Sequence, residues 1–134
     1  MKSPELRRSS ERHDQPSSPS EVFSQLREIM KPYAGKLKVT ADDESRFSLD
    51  TSHLQKNGKP LWFGGVEIKK NYVSYHLMAV YVHPELLRSL SPALKKRMQG
   101  KSCFNFASLD DQLFAELSEL TRVAFDELER AKRR

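Results

Sequence analysis

The sequence contains a single cysteine, Cys103, among its 134 residues. One cysteine cannot form an intramolecular disulfide, so nothing in the sequence requires an oxidising compartment. Long apolar runs are also missing, since no stretch approaches the roughly 18 residues that a membrane-spanning helix needs. Because the first residues are polar, we expect no secretory signal there. These absences predict a cytoplasmic protein that does not insert into a membrane.

Motifs of known catalytic or metal chemistry are missing as well. Gly64-Gly65 is not followed by the Gly-Lys-Ser/Thr of a phosphate loop, and the four histidines show no metal-ligand spacing. Cys103 has no histidine beside it in sequence, which favours a small buried side chain over a nucleophile. The sequence therefore favours a non-enzymatic binding protein with no catalytic residue and no cofactor. An enzyme that uses His76 with Cys103 or a lysine is left as an alternative.

Hydrophobic residues are scarce, at 37% of the chain, while charged residues make up 31%. The polar stretch 1–18 accounts for part of this imbalance, and we predict a disordered tail there. Residues 19–134 are then predicted to form one domain, which is long enough for a packed core. The net charge of +5 is compatible with weak attraction to polyanions, but it does not by itself indicate nucleic acid as a partner.

Residues 59–82 contain 10 of the chain's 24 aromatic and β-branched residues, in less than a fifth of its length. The alternation in this segment predicts two long strands that reverse at Lys70-Asn71. Both faces of the second strand, residues 72–82, are largely apolar, which predicts a central position in a sheet. Gly64-Gly65 within the first strand indicates a bulge or the close approach of another group.

Amphipathic helices are predicted on either side of this hairpin. Ser18 is expected to cap a helix over residues 19–34, and Ser108, with Asp111 three residues later, is expected to cap a long final helix. The remaining predicted elements are strands near 37–41, 46–51 and 101–107 and short helices at 85–90 and 93–98. Together they predict an α+β fold, with a mostly antiparallel sheet of about five strands. The sheet packs with the N-terminal and C-terminal helices, and the short helical pair is inserted before the last strand.

Aromatic, lysine and polar residues of the hairpin and the last strand are candidates for ligand contact. They are Lys59, Trp62, Tyr75, His76, Lys101, Phe104 and Asn105. If the last strand pairs with the hairpin, they would form a pocket with aromatic walls and a cationic rim, which is typical of a site for a small anionic ligand. A protein partner at the same place is left open. The alternative interpretation is a sheet face covered by helices, with lysines extending outward.

Residues 95–101 form a local basic patch, with Lys95, Lys96, Arg97 and Lys101. Such a patch could contact nucleic acid or another polyanion. Aromatic residues for base stacking are not evident beside it, so a solvated helix face is the favoured interpretation.

Three segments resemble the YdhG-like family of small bacterial proteins of unknown function. They are residues 57–65, 70–78 and 95–106, and the resemblance extends from Val22 to the final helix. It implies a cytosolic α+β domain. Some members are described as frataxin-like iron chaperones, so the resemblance implies iron delivery as the alternative function. The acidic residues fit that alternative poorly, because a ferrous site favours clustered carboxylates and the first helix carries only Glu21 and Glu28. Residues 42–44 are the dense acidic cluster that precedes the final helix.

Overall fold

The computed structural model describes residues 18–132, and the side chains of residues 18–130. The predicted tail therefore lies, apart from Ser18, outside the described residues. The helices are α1 (Pro19–Met30), α2 (Met78–Val82), α3 (Pro92–Lys95) and α4 (Asp111–Lys132), and the strands are β1 (Lys38–Asp42), β2 (Arg46–Leu54), β3 (Pro60–Ile68), β4 (Val73–Leu77), β5 (Met98–Gln99) and β6 (Cys103–Phe106). Short 3₁₀ turns cover Lys31–Tyr33 and Pro84–Leu87.

The fold is α+β, as predicted, and its sheet has six strands in the order β1-β2-β3-β4-β6-β5. Every neighbouring pair is antiparallel. The strand β4 lies between β3 and β6, which confirms its predicted central position. The prediction of about five strands missed β5, a two-residue strand within a segment that had been interpreted partly as helix.

The helix α1 begins at a capping box, in which Ser18 accepts from the backbone N–H of Glu21 and the Glu21 side chain accepts from that of Ser18. Its apolar stripe, Val22, Phe23, Leu26 and Met30, is buried. The α-helical part ends at Met30 rather than at residue 34, because Pro32 has no N–H to donate to the preceding turn.

The predicted second strand of the hairpin is too long. It was expected to run to Val82, but β4 ends at Leu77 and Met78–Val82 is helical. The last ladder bond on one side runs from Leu77 N–H to the Ser102 carbonyl, just before β6 begins. Beyond Leu77 the strand has no continuing partner there, and a helical turn bonds the backbone groups locally.

Phe63 is the extra residue of a bulge in β3. The register with β2 passes from Leu49 opposite Gly64 to Asp50 opposite Trp62, which leaves Phe63 unpaired. Phe63 is fully buried against Tyr33 and Phe125, on the helix side of the sheet. Strict alternation would put Phe63 and Gly64 on different faces, but at the bulge they share one face. The bulge predicted at Gly64-Gly65 is therefore present, but its extra residue is Phe63, one position earlier. It puts Trp62 and Gly65 on the same face of the sheet.

The long helix α4 begins at Asp111, later than Ser108 would have placed it. The side chain of Asp110 accepts from the backbone N–H of Leu113 and so caps its first turn, which corrects the predicted cap. Its buried face includes Leu117, Leu120, Ala124 and Phe125, as the sequence pattern predicted. The helix is bonded to the sheet through the hydroxyl groups of Tyr75 and Thr121, which lie 2.6 Å apart and are both buried.

The helices lie on one side of the sheet. Phe47, Val66, Tyr75 and Phe104, each from a different strand, point to that side and are almost completely buried. Their neighbours along each strand point to the opposite side. We call that opposite side the open face; it carries Ser48, Glu67, Ser74, His76, Cys103 and Asn105.

Candidate functional site

Cross-strand register arranges the open face in two rows of side chains. The first row is Arg46, Glu67, Ser74 and Asn105. The second row is Ser48, Gly65, His76 and Cys103. Trp62 lies beside the second row, opposite Asp50. Pairing of β2, β3, β4 and β6 thus brings polar and aromatic side chains from residues 46–105 onto one surface.

Trp62 and His76 form an aromatic pair on the open face. Their ring centroids are 5.3 Å apart, and the indole N–H donates to the Ser48 hydroxyl at 2.8 Å. The indole lies against Gly65, since a Cβ added there would come within 3.2 Å of the Trp62 ring. A glycine at this position thus gives the ring its place on the sheet. The result is a half-buried aromatic surface held in one orientation.

Ser74 carries the most unusual polar group of the face. Its side chain is 2% exposed, and its hydroxyl makes no hydrogen bond among the described residues. In the register it lies between Glu67 and Asn105. A buried hydroxyl without a partner is costly, and such groups are rare in folded proteins. This hydroxyl therefore has unused capacity to donate to or accept from another molecule.

His76 and Cys103 are directly opposite each other and next to the hydrogen-bonded pair of Leu77 and Ser102. Such a non-hydrogen-bonded position brings side chains close. Burial lowers the pKa of His76, and the nearby Lys69 lowers it further, whereas Glu67 raises it. Burial raises the pKa of the Cys103 thiol, which donates to Asn105 Oδ1 at 3.4 Å. Both groups are therefore neutral near pH 7, with the thiol directed to Asn105.

Lys69 supplies positive charge to the open face. Its ammonium lies 3.2 Å from a carboxylate oxygen of Glu67, and both side chains are about 40% exposed. Its charge lowers the pKa of both His76 and Cys103. At the far end, the Arg97 carbonyl accepts from Asn105 N–H at 2.8 Å and extends the pairing by one residue. The cation placed beside the first row is therefore the Lys69 ammonium, next to Glu67.

The predicted site residues separate into three places. Trp62, His76 and Asn105 come together on the open face. Tyr75 and Phe104 are fully buried on the helix side, so they are core residues and not walls of this site. Lys59 and Lys101 are exposed in the turns that precede β3 and β6.

The predicted site did not include Ser74, Glu67 or Lys69. The spacing of two between Ser74 and His76 places both residues on one face of a strand. Its burial and lack of a partner depend on the pairing with β3 and β6, which no local pattern shows.

Two acidic residues of the turn at 42–44 already have partners in the protein. Asp42 pairs with Arg27 at 2.7 Å, and Asp43 accepts from the backbone and hydroxyl of Ser45, bonds that lower its pKa. Within residues 18–132, no group of three His, Cys, Asp or Glu side chains is placed to hold a metal ion. These residues do not fit a ferrous centre, and iron delivery stays a prediction from the resemblance. Anaerobic titration of the whole chain with ferrous iron tests it directly.

Comparison with protein-family models, with curated proteins and with solved structures found no match for this chain. The resemblance to the YdhG-like family accordingly stays a prediction. In the part of the chain that the structure describes, no helix combines the length and the apolar character that crossing a membrane requires.

The lowered pKa of His76 makes a pH dependence testable. Because the folded protein binds this proton less readily than the unfolded chain, whose imidazole titrates near 6.5, His76 contributes stability above pH 6.5. That contribution is lost as the pH falls from 6.5 through the folded pKa. We expect the His76 ring protons to titrate below pH 6.5 in NMR spectra. We also expect stability to fall more between pH 7.5 and 5.5 in the native chain than in His76→Gln. A His76 midpoint above 6.5 would contradict the burial argument.

Proposed function

We propose that this chain is a non-enzymatic binding domain and that its open face binds a small aromatic carboxylate. The observation that supports this most is the buried Ser74 hydroxyl, which has no hydrogen-bond partner among the described residues. Ser74 is two residues from His76 on β4, and so lies next to the Trp62–His76 ring pair on the same face. A half-buried aromatic surface beside a few convergent polar groups is the usual composition of a small-ligand site.

Hydrogen-bond donors favour a carboxylate over a cation or a neutral carbonyl compound. Asn105 already accepts the Cys103 thiol through its Oδ1, so its NH₂ group remains to donate. Ser74 can donate its hydroxyl hydrogen, and neutral His76 offers one ring N–H. Two carboxylate oxygens can accept all of these bonds. Charge-assisted bonds of this kind are roughly twice as strong as neutral ones.

The spacing along β4 suits a ring joined directly to a carboxylate. Ser74 and His76 are two residues apart on one face, about 6.7 Å along a strand. In this proposal the ring stacks on Trp62 and His76, while the carboxylate reaches the Ser74–Asn105 end. Lys69 and Glu67 are exposed enough to move aside, and Lys69 then pairs with the ligand.

Protonation states favour binding over catalysis. A thiol with a raised pKa is a poor nucleophile, and an imidazole with a lowered pKa does not stabilise a thiolate as a cation. The thiol donates to Asn105 rather than to His76. These features do not support an activated His76–Cys103 pair of the kind an enzyme would need, which favours the binding proposal.

The single tryptophan, Trp62, reports on this site directly. We expect benzoate to change its fluorescence in a saturable way, while benzamide, the neutral analogue of the same shape, binds at least about tenfold more weakly, a difference of about 1.4 kcal/mol. Raising the salt concentration is expected to weaken benzoate binding. Equal affinity for the two compounds would remove the argument for an anion, and no response to either compound would oppose the proposed site.

Ser74→Ala separates a binding role from a structural role. If the hydroxyl serves a ligand, its removal weakens benzoate binding by about tenfold and leaves stability equal or slightly higher, because an unsatisfied buried group is lost. If the hydroxyl instead supports the fold, the variant is less stable. Ser89→Ala is the matched control, since Ser89 is exposed and lies outside the open face. Its affinity and stability should match those of the unmodified chain.

A further inference from the structure

A second concave site lies on the helix side of the sheet, near the end of β2 and the start of β3. The cavity has a volume of about 170 Å³ and lies between the last part of β2, the start of β3 and the second half of α4. Its walls include Leu37, Leu61, Val82, Phe125 and Leu128. Because Thr51 Oγ1 is already bonded to the Leu61 carbonyl at 2.7 Å, this part of the wall offers little free polarity.

The volume is large compared with the voids of protein interiors, and the cavity is open to solvent at Val82. Protein interiors contain few voids larger than a water molecule, which occupies about 30 Å³ in the liquid. An engineered apolar cavity of about 150 Å³ in another protein stays dry and binds benzene. A cavity of about 170 Å³ thus has room for one aromatic ring with a small substituent.

Polar residues make up half of the lining, namely Thr51, Ser52, His53, His83 and Glu129. The His83 ring is 3.4 Å from the Glu85 carboxylate. No lysine or arginine lines this cavity among the described residues, so an anion would lose its hydration there without a charged partner. Val82, which lines the opening, is 49% exposed, and exposed apolar side chains at a concave opening are typical of interaction sites.

We infer that this cavity is a separate binding site for a small neutral aromatic molecule with one hydrogen-bonding group, of the size of phenol. The ring fits between Phe125 and the leucine side chains, and the hydroxyl lies at the rim beside His53 or His83. The site is on the opposite side of the sheet from Ser74, so its occupancy is independent of the open face.

Methyl NMR spectra of the full chain during a phenol titration test this inference. With up to about 10 mM phenol, which covers the affinity expected of so small a molecule, the methyl signals of Leu37, Leu61 and Leu128 should shift in a saturable way. Benzoate should leave these signals unchanged while it affects Trp62. Absence of phenol-dependent methyl shifts would overturn the second site without bearing on the first.

Val82→Phe provides the matched test, because it narrows the opening at a position exposed enough to accept a larger side chain. We expect it to weaken phenol binding at least about tenfold through loss of the space for the ring. Val39→Phe is the control, since Val39 is 39% exposed and does not line the cavity. Should Val82→Phe fail to fold, Leu128→Phe fills the same space from α4. Unchanged phenol affinity in a folded variant of either kind would overturn the assignment.

Discussion

Replacing Gly64 by alanine is expected to lower the free energy of unfolding by about 3 kcal/mol. A Cβ at this position would press on the backbone carbonyl of His76 in the neighbouring strand and would lie 2.7 Å from Met30 Cε. The methionine end can move, but the carbonyl is held in the ladder between β3 and β4. The sheet must therefore shift next to the bulge, where α1 packs on it.

Chemical denaturation of the two proteins measures this effect. Gly35→Ala is the matched control, because a Cβ there meets nothing within 4 Å and its backbone does not need a positive φ. It should change stability by less than about 0.5 kcal/mol, as surface substitutions usually do. A Gly64→Ala chain as stable as the Gly35→Ala chain would mean that the strands at the bulge are further apart than described.

Replacing Gly65 by alanine is expected to cost about 2 kcal/mol and to disturb the open face as well. Here the added Cβ would lie 2.7 Å from the Phe47 carbonyl and 3.2 Å from Trp62 Cζ2. The carbonyl is held in the ladder with β2 and cannot easily move away. The added Cβ therefore also pushes against the indole ring on its other side. Trp62 should then move from its place against His76, which removes the ring surface proposed to hold the ligand.

Trp62 fluorescence and benzoate affinity, measured while the variant is folded, show whether the ring has moved. We expect emission at longer wavelength, from a more exposed indole, and an affinity lower by about tenfold, equivalent to about 1.4 kcal/mol. Gly35→Ala should leave both unchanged. Unchanged emission together with unchanged affinity in Gly65→Ala would show that the glycine does not position Trp62.

Local patterns were sufficient for much of the fold. Helical spacing of apolar residues predicted the buried faces of α1 and α4, and the apolar character of both strand faces predicted that β4 is central. The end of β4 at Leu77 was not predictable in this way. Residues 78–82 are as apolar as a strand, and they become helical where β4 loses its partner on the β6 side, beyond the hydrogen bond from Leu77 to Ser102. Such a partner is determined by the fold and not by the local sequence.

The candidate site was only partly predictable, because the pairing of its strands is also determined by the fold and not by the local sequence. Alternation put Ser74 and His76 on one face and Tyr75 on the other, but the core side was not evident because both faces are apolar. The bulge at Phe63 shifts the alternation of β3, so Trp62 joins Gly65 and His76 only in three dimensions. Asn105 reaches the site through the register of β6, which sequence spacing does not fix.

The most direct test of the open-face site is an NMR titration of the full chain with benzoate, observing the side-chain NH₂ of Asn105 and the indole N–H of Trp62. The proposed site predicts that these two signals shift together with one affinity and that Ser74→Ala weakens both responses equally. Shifts confined to the basic patch at Lys95, Lys96 and Arg97, or unchanged signals at Asn105 and Trp62, would contradict it.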